Sequence, residues 1–457
     1  MKTLAEQMAG YTSSLRYEDL PGPVVHEVKR RIIDSLGCAL GAYTAKTCRI
    51  AMRMARSVKG SPGASILGTS FKTSPDMAAF ANGTMVRYLD YNDTYLSKEP
   101  AHPSDNIPAA LAVAEAQHAT GCDLITAIVV GYEIQCRLCD AASLRARGWD
   151  HVTYGAFSSA LVAAKLLKLT PEQTSHAVAL AGVANVALRQ TRVGELSMWK
   201  GSAFANAARN GIFAALLARE GMSGPSPIFE GEKGFWRLVS GPFKLGFLAG
   251  RRGDFKILDT YIKYYPAEYH AQSAIDAALA LRPRTRTEDI VSVQIRTFDA
   301  AVEIIGSGPE KWHPKTRETA DHSLPYCVGV ALIDGEVGLA QFSTGRIADP
   351  RLHHFMKKIQ VVADPHLNEQ YPTAIPNLIE INMKDGTKLT QQVDYPRGHP
   401  KNPMTDTEVE EKFIALSARL LTKRRIRQVL DRLWGMEKIK DTGEVLSLFL
   451  SIKRRPI

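Results

Sequence analysis

The feature that most constrains the fold is a succession of helical segments, apolar nearly all round, from the start of the chain to about residue 267. Apolar residues recur from Val25 to Leu40 at the spacing of one helix face. Later segments, such as 152–165, are rich in Ala and Gly and poor in charge. A helix that is apolar almost all round is buried among others. The pattern therefore predicts a large helical body.

Capping residues mark several of the helix starts. The marked positions are Asp105, Asp123, the pair Thr170 and Gln173, and the pair Thr405 and Glu408. The two aspartates are predicted N-caps, because a short carboxylate accepts hydrogen bonds from the first N–H groups of a helix. The two pairs have the spacing of a capping box.

The pattern changes after residue 267. In 291–297 the apolar residues Val291, Val293 and Ile295 alternate with polar ones, which is typical of a half-buried strand. Segment 359–364 is predicted as another strand. Segment 378–395 predicts a hairpin that turns at an Asp-Gly pair.

These patterns predict a mainly α protein with two domains. Residues 1–267 and 400–457 are expected to form a large all-helical domain. Residues 268–399 are expected to form a smaller α+β domain, with a helix over 319–335 between its strands.

The net charge of +10 comes largely from the end of the chain. Residues 412–457 contain twelve Lys and Arg against four Asp and Glu. The segment predicts amphipathic helices with a basic outer face, which is usually a solvated surface. Binding of nucleic acid is the alternative, but no zinc-finger or RNA-recognition motif accompanies the basic residues.

The N-terminal segment lacks the apolar core of a signal peptide, and no apolar run reaches the length of a membrane span. Six cysteines in 457 residues do not indicate a disulfide framework. We expect a soluble, cytoplasmic protein. The one C-x-x-C pair, Cys136 and Cys139, continues the apolar period of a helix, which favours ordinary helical cysteines over iron–sulfur ligands.

Segment 88–106, YLDYNDTYLSKEPAHPSDN, interrupts the helical pattern with a long polar stretch. Its second half fits neither a helical nor a strand period. Long polar loops in compact domains are uncommon and often functional. The segment is therefore either a solvated surface loop or part of an active site.

Common nucleotide, hydrolase and zinc-protease motifs do not occur in the sequence. Instead, basic and polar residues stand in apolar or sharply punctuated segments: His102, His151, Lys200, Lys263, Arg317, Asp321, His322 and Tyr326. Each alone fits a structural role, as a hydrogen-bonded core histidine, a lysine that reaches solvent or a helix cap. Together, buried cations favour a negatively charged partner, and a polycarboxylate substrate would supply it.

Six separated stretches of this sequence resemble the MmgE/PrpD family. They are NGTMVRYLDYNDTYL with AHPSDN, HVTYGAFSSALVAAK, MWKGSAFANAARNG, YPAEYHAQSAIDAAL, TADHSLPYCVGVALIDG and GHPKNPM. The family includes 2-methylcitrate dehydratase, cis-aconitate decarboxylase and iminodisuccinate epimerase. The resemblance implies a helical domain with an inserted α+β lid, a homodimer, and catalysis without a metal or cofactor.

The resemblance also assigns site residues. Asp90, His102, His151, Lys200, Lys263 and Tyr326 would be catalytic, with Thr94 binding substrate. Arg317 and His322, which cluster with Tyr326 in the sequence, are also expected to bind substrate. Loop 88–106 would then form the floor of the active site. The spacing of Asp90 and Thr94 can place both side chains on one face of a helical turn. The cations from distant segments are expected to converge where the helical body meets the lid.

The activity that the resemblance favours is removal of water from a citrate-like triacid. His151 or His102 would remove a proton next to a carboxylate, and Lys200 and Lys263 would stabilise the developing charge. Asp90 would orient a histidine or assist the departing hydroxyl. Decarboxylation of cis-aconitate and epimerisation of a diacid remain alternatives, since both develop charge beside a carboxylate. A non-catalytic basic binding protein is the remote alternative.

Overall fold

The computed structural model describes residues 2–246, 248 and 254–450. The chain is mainly α-helical with a small α+β part, as predicted. It forms two compact units. Unit 1 contains Met1–Thr191, Gly201–Thr260 and Thr405–Ile457, and unit 2 contains Arg192–Lys200 and Tyr261–Met404. The domain boundaries expected from the sequence, 267/268 and 399/400, stay a prediction.

The α-helices of the described residues follow the chain in this order: α1 (Leu4–Ser14), α2 (Gly22–Ala42), α3 (Lys46–Arg56), α4 (Pro75–Tyr88), α5 (Ile107–Ala116), α6 (Gly121–Ala141), α7 (Val152–Leu166), α8 (Pro171–Ala184), α9 (Ala203–Arg219), α10 (Gln272–Leu281), α11 (Asp299–Ala301), α12 (Pro309–Trp312), α13 (Arg317–Ala320), α14 (Leu324–Asp334), α15 (Thr344–Ile347), α16 (Pro350–Met356), α17 (Pro365–Asn368), α18 (Asp406–Ser417), α19 (Lys423–Trp434) and α20 (Gly443–Ser447). Across the described part of the chain, no helix combines the length and apolarity needed to span a bilayer.

Unit 1 is built around α7, which packs against α6, α8 and α9. Every residue of α7 except Lys165 is buried, so the helix is apolar on all sides, as its sequence predicts. Gly211 of α9 allows the close approach to α7, because a Cβ at this position would lie 2.7 Å from the carbonyl oxygen of Ala156. A two-stranded hairpin, β1 (Ala64–Ser65) and β2 (Lys72–Thr73), also belongs to this unit.

Unit 2 contains a four-stranded sheet in the order β4-β3-β5-β6. The strands are β3 (Ile290–Thr297), β4 (Ile359–Ala363), β5 (Asn377–Met383) and β6 (Lys388–Val393). Strand β3 pairs parallel to β4 and antiparallel to β5, and β5 forms the predicted hairpin with β6. Helix α10 packs on β5 and β6, and α14 packs on α10.

The prediction that Val291 points inward from β3 is wrong. Val291 is 54% exposed, whereas Ile290, Val293 and Ile295 are buried. The pairing of β3 with β5 shifts register between Ile290 and Ser292. This irregularity of the β-bulge kind changes which side chains point inward, so simple alternation fails there.

The predicted capping boxes of α8 and α18 are confirmed. The two predicted aspartate caps are wrong. Thr120 caps α6, and Asp123 is its capping-box partner three residues later. Asp105 lies inside a 3₁₀ turn that precedes α5, and Asn106 occupies the N-cap position. In both cases the helical backbone begins at a different residue from the one that the aspartate suggested.

Helix α6 contains the C-x-x-C pair, as predicted. Both Cys136 and Cys139 are buried, and burial raises the pKa of each thiol well above its usual value.

Candidate active site

The polar loop that follows α4 is buried. Helix α4 ends at Tyr88, and Asp90 then adopts a left-handed backbone with a φ of 50°. An aspartate tolerates this conformation better than most residues, because its short side chain can bond locally. The prediction that Asp90 and Thr94 share a helical turn is therefore wrong, because the chain has already left the helix.

Hydrogen bonds within unit 1 fix the shape of this loop. Asp93 accepts hydrogen bonds from the Ser104 N–H (2.9 Å) and the Tyr132 hydroxyl (2.6 Å). Thr94 donates its hydroxyl to the carbonyl of Ala101 at 3.1 Å. With Asp93 and Thr94 at 2% exposure or less, the interpretation as a solvated surface loop is wrong.

Arg87, at the end of α4, joins Asp90 to His102. It forms a short ion pair with the Asp90 carboxylate and places its Nη2 2.9 Å from His102 Nε2. The other ring nitrogen, Nδ1, lies 2.7 Å from the carbonyl of Asp93. A guanidinium can only donate and a carbonyl can only accept, so His102 carries its hydrogen on Nδ1 and accepts at Nε2. The imidazole is neutral and held at both nitrogens.

His151 directly precedes α7 and is 6% exposed. Its Nδ1 lies 2.9 Å from Oδ1 of Asp150. The same carboxylate oxygen accepts from the Val152 N–H at 3.3 Å. An ionised carboxylate only accepts, so Nδ1 carries a hydrogen, and in the neutral imidazole Nε2 then carries the lone pair.

The rings of His102 and His151 lie 5.8 Å apart between centroids, nearly perpendicular. Arg87, Asp90, His102, Asp150 and His151 are hereafter called the histidine cluster. Glu99 anchors the loop beside it, because its Oε2 accepts from the N–H groups of Leu144 (2.7 Å) and Arg145 (2.9 Å), just ahead of His151 in the chain.

A second group of buried charges lies in unit 2. Lys200 Nζ is 3.1 Å from Oδ1 of Asp321 and 3.2 Å from Nδ1 of His322. His322 Nδ1 is itself 2.7 Å from the same Asp321 oxygen. Asp321 and His322 form the corner between α13 and α14, where Ser323 caps the second helix.

Glu268 extends this group. Its N–H donates to the carbonyl of Asp321 at 2.7 Å, and its Oε1 lies 3.0 Å from His270 Nδ1. Burial alone would raise the pKa of Glu268, but His270, His322 and Lys263 together lower it to about 2. Lys263 is itself 1% exposed. These residues are hereafter called the lysine cluster: Lys200, Lys263, Glu268, His270, Asp321 and His322.

Comparison with known proteins decides the family. The family model described as MmgE/PrpD N-terminal domain matches residues 6–248, and the MmgE/PrpD C-terminal domain matches residues 265–436. The chain belongs to the MmgE/PrpD family.

Relatives within the MmgE/PrpD family match over most of their length. A "2-methylcitrate dehydratase" of Cupriavidus necator is 32% identical over 418 residues, which cover 84% of each chain. The "2-methylcitrate dehydratase" of Escherichia coli strain K12 is 30% identical over 432 residues, 88% of this chain and 87% of that one. An "Alkylcitrate dehydratase phiI" of a fungal species is 31% identical, with 84% of this chain and 81% of the relative covered.

Two further predicted site residues of this MmgE/PrpD protein, Tyr326 and Arg317, contact residues outside the two clusters. Tyr326 is fully buried and donates its hydroxyl to the carbonyl of Gln341 at 2.6 Å. The Arg317 guanidinium lies 5.2 Å from the centroid of the Phe342 ring. For both residues, contact with a substrate stays a prediction.

The described structure thus brings six of the nine predicted residues into one cluster in each unit, and leaves Thr94, Arg317 and Tyr326 outside both. Asp90, His102 and His151 lie in the histidine cluster, and Lys200, Lys263 and His322 in the lysine cluster. Sequence reasoning missed Arg87, Asp150 and Glu268. The Asp150-His151 neighbours could have been found, since adjacent acid and imidazole groups can bond directly.

Proposed function

We propose that this protein is a hydro-lyase that removes water from a citrate-like tricarboxylate, as the 2-methylcitrate dehydratases among its relatives are named to do. The observation that carries the proposal is the composition of the lysine cluster. Lys200, Lys263 and His270 are buried there and His322 is partly buried, together with two carboxylates of the described residues, Asp321 and Glu268. Buried cations are costly unless anions accompany them, and a polycarboxylate provides such anions.

Elimination of water requires two proton movements. A base removes a proton from the carbon next to a carboxylate, and the hydroxyl group on the neighbouring carbon leaves as water after it gains a proton. Negative charge develops on the carboxylate during the first step. Ammonium groups placed beside that carboxylate stabilise the charge, and we assign this role to Lys200 and Lys263.

We assign the base to His151 rather than His102. Asp150 holds the Nδ1 hydrogen of His151, which leaves the lone pair on Nε2 for proton transfer. In His102 the corresponding lone pair accepts from Arg87. Asp90 holds Arg87 by its ion pair, so we assign Asp90 to the orientation of His102.

The test is incubation of the purified protein with 2-methylcitrate and with citrate, followed by ultraviolet absorbance of the unsaturated acid formed. A His151→Gln variant purified in parallel controls for a contaminating dehydratase. We expect turnover by the wild type and nearly none by the variant. Absence of turnover by well-folded wild type on both acids would contradict the proposal.

The same incubation addresses the alternatives. Cis-aconitate and iminodisuccinate are added in separate reactions, with detection of CO₂ and of epimer formation. The named relatives are dehydratases and lend no support to decarboxylation or epimerisation. Salt-sensitive retention of nucleic acid without any turnover would instead support the basic binding protein.

A further inference from the structure

Lys311, in helix α12 of unit 2, is a buried lysine that the assignments above leave without a role. The residue is only 6% exposed. Within residues 2–246, 248 and 254–450, its ammonium makes no hydrogen bond, and no carboxylate lies within 4 Å of it. The ammonium nitrogen keeps some access to solvent while the rest of the residue is buried, so a negatively charged ligand can reach it and would supply the anion that the protein does not.

Lys311 belongs to the surroundings of the lysine cluster. Ser323, which caps α14 and follows Asp321 and His322 in the chain, donates its hydroxyl to the Lys311 carbonyl in a short hydrogen bond. Charged residues of the lysine cluster also affect the pKa of the Lys311 side chain. Burial lowers the pKa of Lys311 and Lys200 lowers it further, while Glu310, Asp321 and Glu268 act in the opposite direction.

Lys311 also differs from Lys200 in how its charge is balanced. Lys200 already contacts the Asp321 carboxylate at 3.1 Å. The carboxylates near Lys311 act on it only from beyond ion-pair distance. Of these two lysines, Lys311 is therefore the one whose positive charge is the less compensated by the protein.

We propose that Lys311 binds one carboxylate of the substrate and thereby selects acids with three carboxylates over acids with two. This inference rests on the proposed function, since it assumes that the lysine cluster binds the acid. With Lys200 and Lys263, it gives unit 2 three lysines that are each 6% exposed or less, one for each carboxylate of a citrate-like acid.

The test measures binding by calorimetry with two unreactive acids, tricarballylate with three carboxylates and glutarate with two. The variants are Lys311→Met and the charge-retaining Lys311→Arg, with the exposed Lys357→Met as a matched control. We expect Lys311→Met to bind tricarballylate about 10- to 100-fold more weakly, as a lost charged hydrogen bond implies, with glutarate affinity nearly unchanged. Lys311→Arg and Lys357→Met should retain the preference for tricarballylate.

Equal weakening of both acids, or no weakening of either, would overturn the proposal. A thermal melt establishes that each variant is folded. Should Lys311→Met fail to fold, the wild type can still contradict the proposal, because glutarate binding as tight as tricarballylate binding is incompatible with selection by a third lysine.

Binding of these acids does not depend on turnover, so the two proposals can fail separately. A wild type that binds tricarballylate through Lys311 but dehydrates no citrate-like acid contradicts the proposed reaction only. If the wild type dehydrates 2-methylcitrate but Lys311→Met binds tricarballylate as tightly as the wild type, only the role of Lys311 is contradicted.

Discussion

The histidine cluster of unit 1 and the lysine cluster of unit 2 hold their charged groups differently. In the histidine cluster, hydrogen-bond partners orient both imidazoles, Arg87 for His102 and Asp150 for His151. In the lysine cluster, basic side chains gather around Glu268, and His270, His322 and Lys263 lower its pKa to about 2 despite burial.

This difference separates two tasks of an elimination. A fixed tautomer suits proton transfer, because the lone pair is presented at one known atom. Buried lysines suit the binding of a polyanion, because the anion replaces the solvation that their ammonium groups have lost.

His151→Gln should lower kcat by about 10³-fold, because it removes the proposed base, and general base catalysis contributes effects of this size. KM should change little, because the lysine cluster is intact. Steady-state kinetics give both values. His118→Gln is the control, since that side chain is 77% exposed. A His151→Gln enzyme with a kcat near that of the wild type contradicts the assignment of the base.

Lys200→Met should reduce kcat/KM by about 10²-fold, mostly through KM, in line with the loss of a charged hydrogen bond to substrate. The variant should also melt at a lower temperature, because Asp321 is left buried without its ammonium. Lys384→Met, at an exposed position of unit 2, is the control. Retention of the wild-type KM would remove Lys200 from substrate binding.

Asp150→Asn should lower kcat by about 10- to 100-fold, the usual size of effect for a residue that orients another group. The amide can donate to Nδ1 of His151 and so favours the opposite tautomer. KM should stay close to the wild-type value, and Asp150→Glu should restore part of kcat. An equal loss in both variants, with KM raised, would indicate a structural role for Asp150 instead.

Tyr326→Phe should leave kcat/KM nearly unchanged and destabilise the fold by about 1–2 kcal/mol, because the Gln341 carbonyl loses its hydrogen bond. Kinetics and a thermal melt measure the two effects. A large drop in kcat with unchanged stability would support the catalytic role that the family resemblance implies.

His399→Phe should weaken the dependence of stability on pH. Burial, with the charge of Lys401, lowers the pKa of His399 from 6.5 to about 4. Between these values the unfolded chain binds the additional proton, so the wild type loses stability as pH falls from about 6.5 to about 4. Phenylalanine preserves a ring beside Tyr261 and Tyr395. As pH falls across this range, the melting temperature should fall less for the variant than for the wild type. An equal fall would contradict the claim that His399 causes part of the loss of stability.

Local patterns predicted much of the fold. Helix α7 was predicted from a segment that is rich in Ala and Gly and poor in charge, and it is buried on all sides. The β5–β6 hairpin was predicted from its Asp-Gly turn. The inward orientation predicted for Val291 was wrong because it depends on how β3 pairs with β5. The sequence of one strand holds no information on that pairing. The predicted caps Asp105 and Asp123 were wrong because an aspartate near a helix start can precede the N-cap, as Asp105 does, or lie in the first turn, as Asp123 does.

The candidate site was predicted less completely than the fold. His151 and Lys200 were found because a basic residue in an apolar segment is conspicuous. Arg87 was missed because its partners, Asp90 and His102, meet it only through the left-handed turn after α4. The contact that Tyr326 makes with Gln341 depends on the packing after α14, which has no signal in the sequence.

The division of tasks between the two clusters is tested most directly by calorimetric binding of tricarballylate to His151→Gln and to Lys200→Met. The account predicts that His151→Gln binds nearly as tightly as the wild type, whereas Lys200→Met binds about 10- to 100-fold more weakly. An equal loss of affinity in the two variants, or a greater loss in His151→Gln, would contradict it.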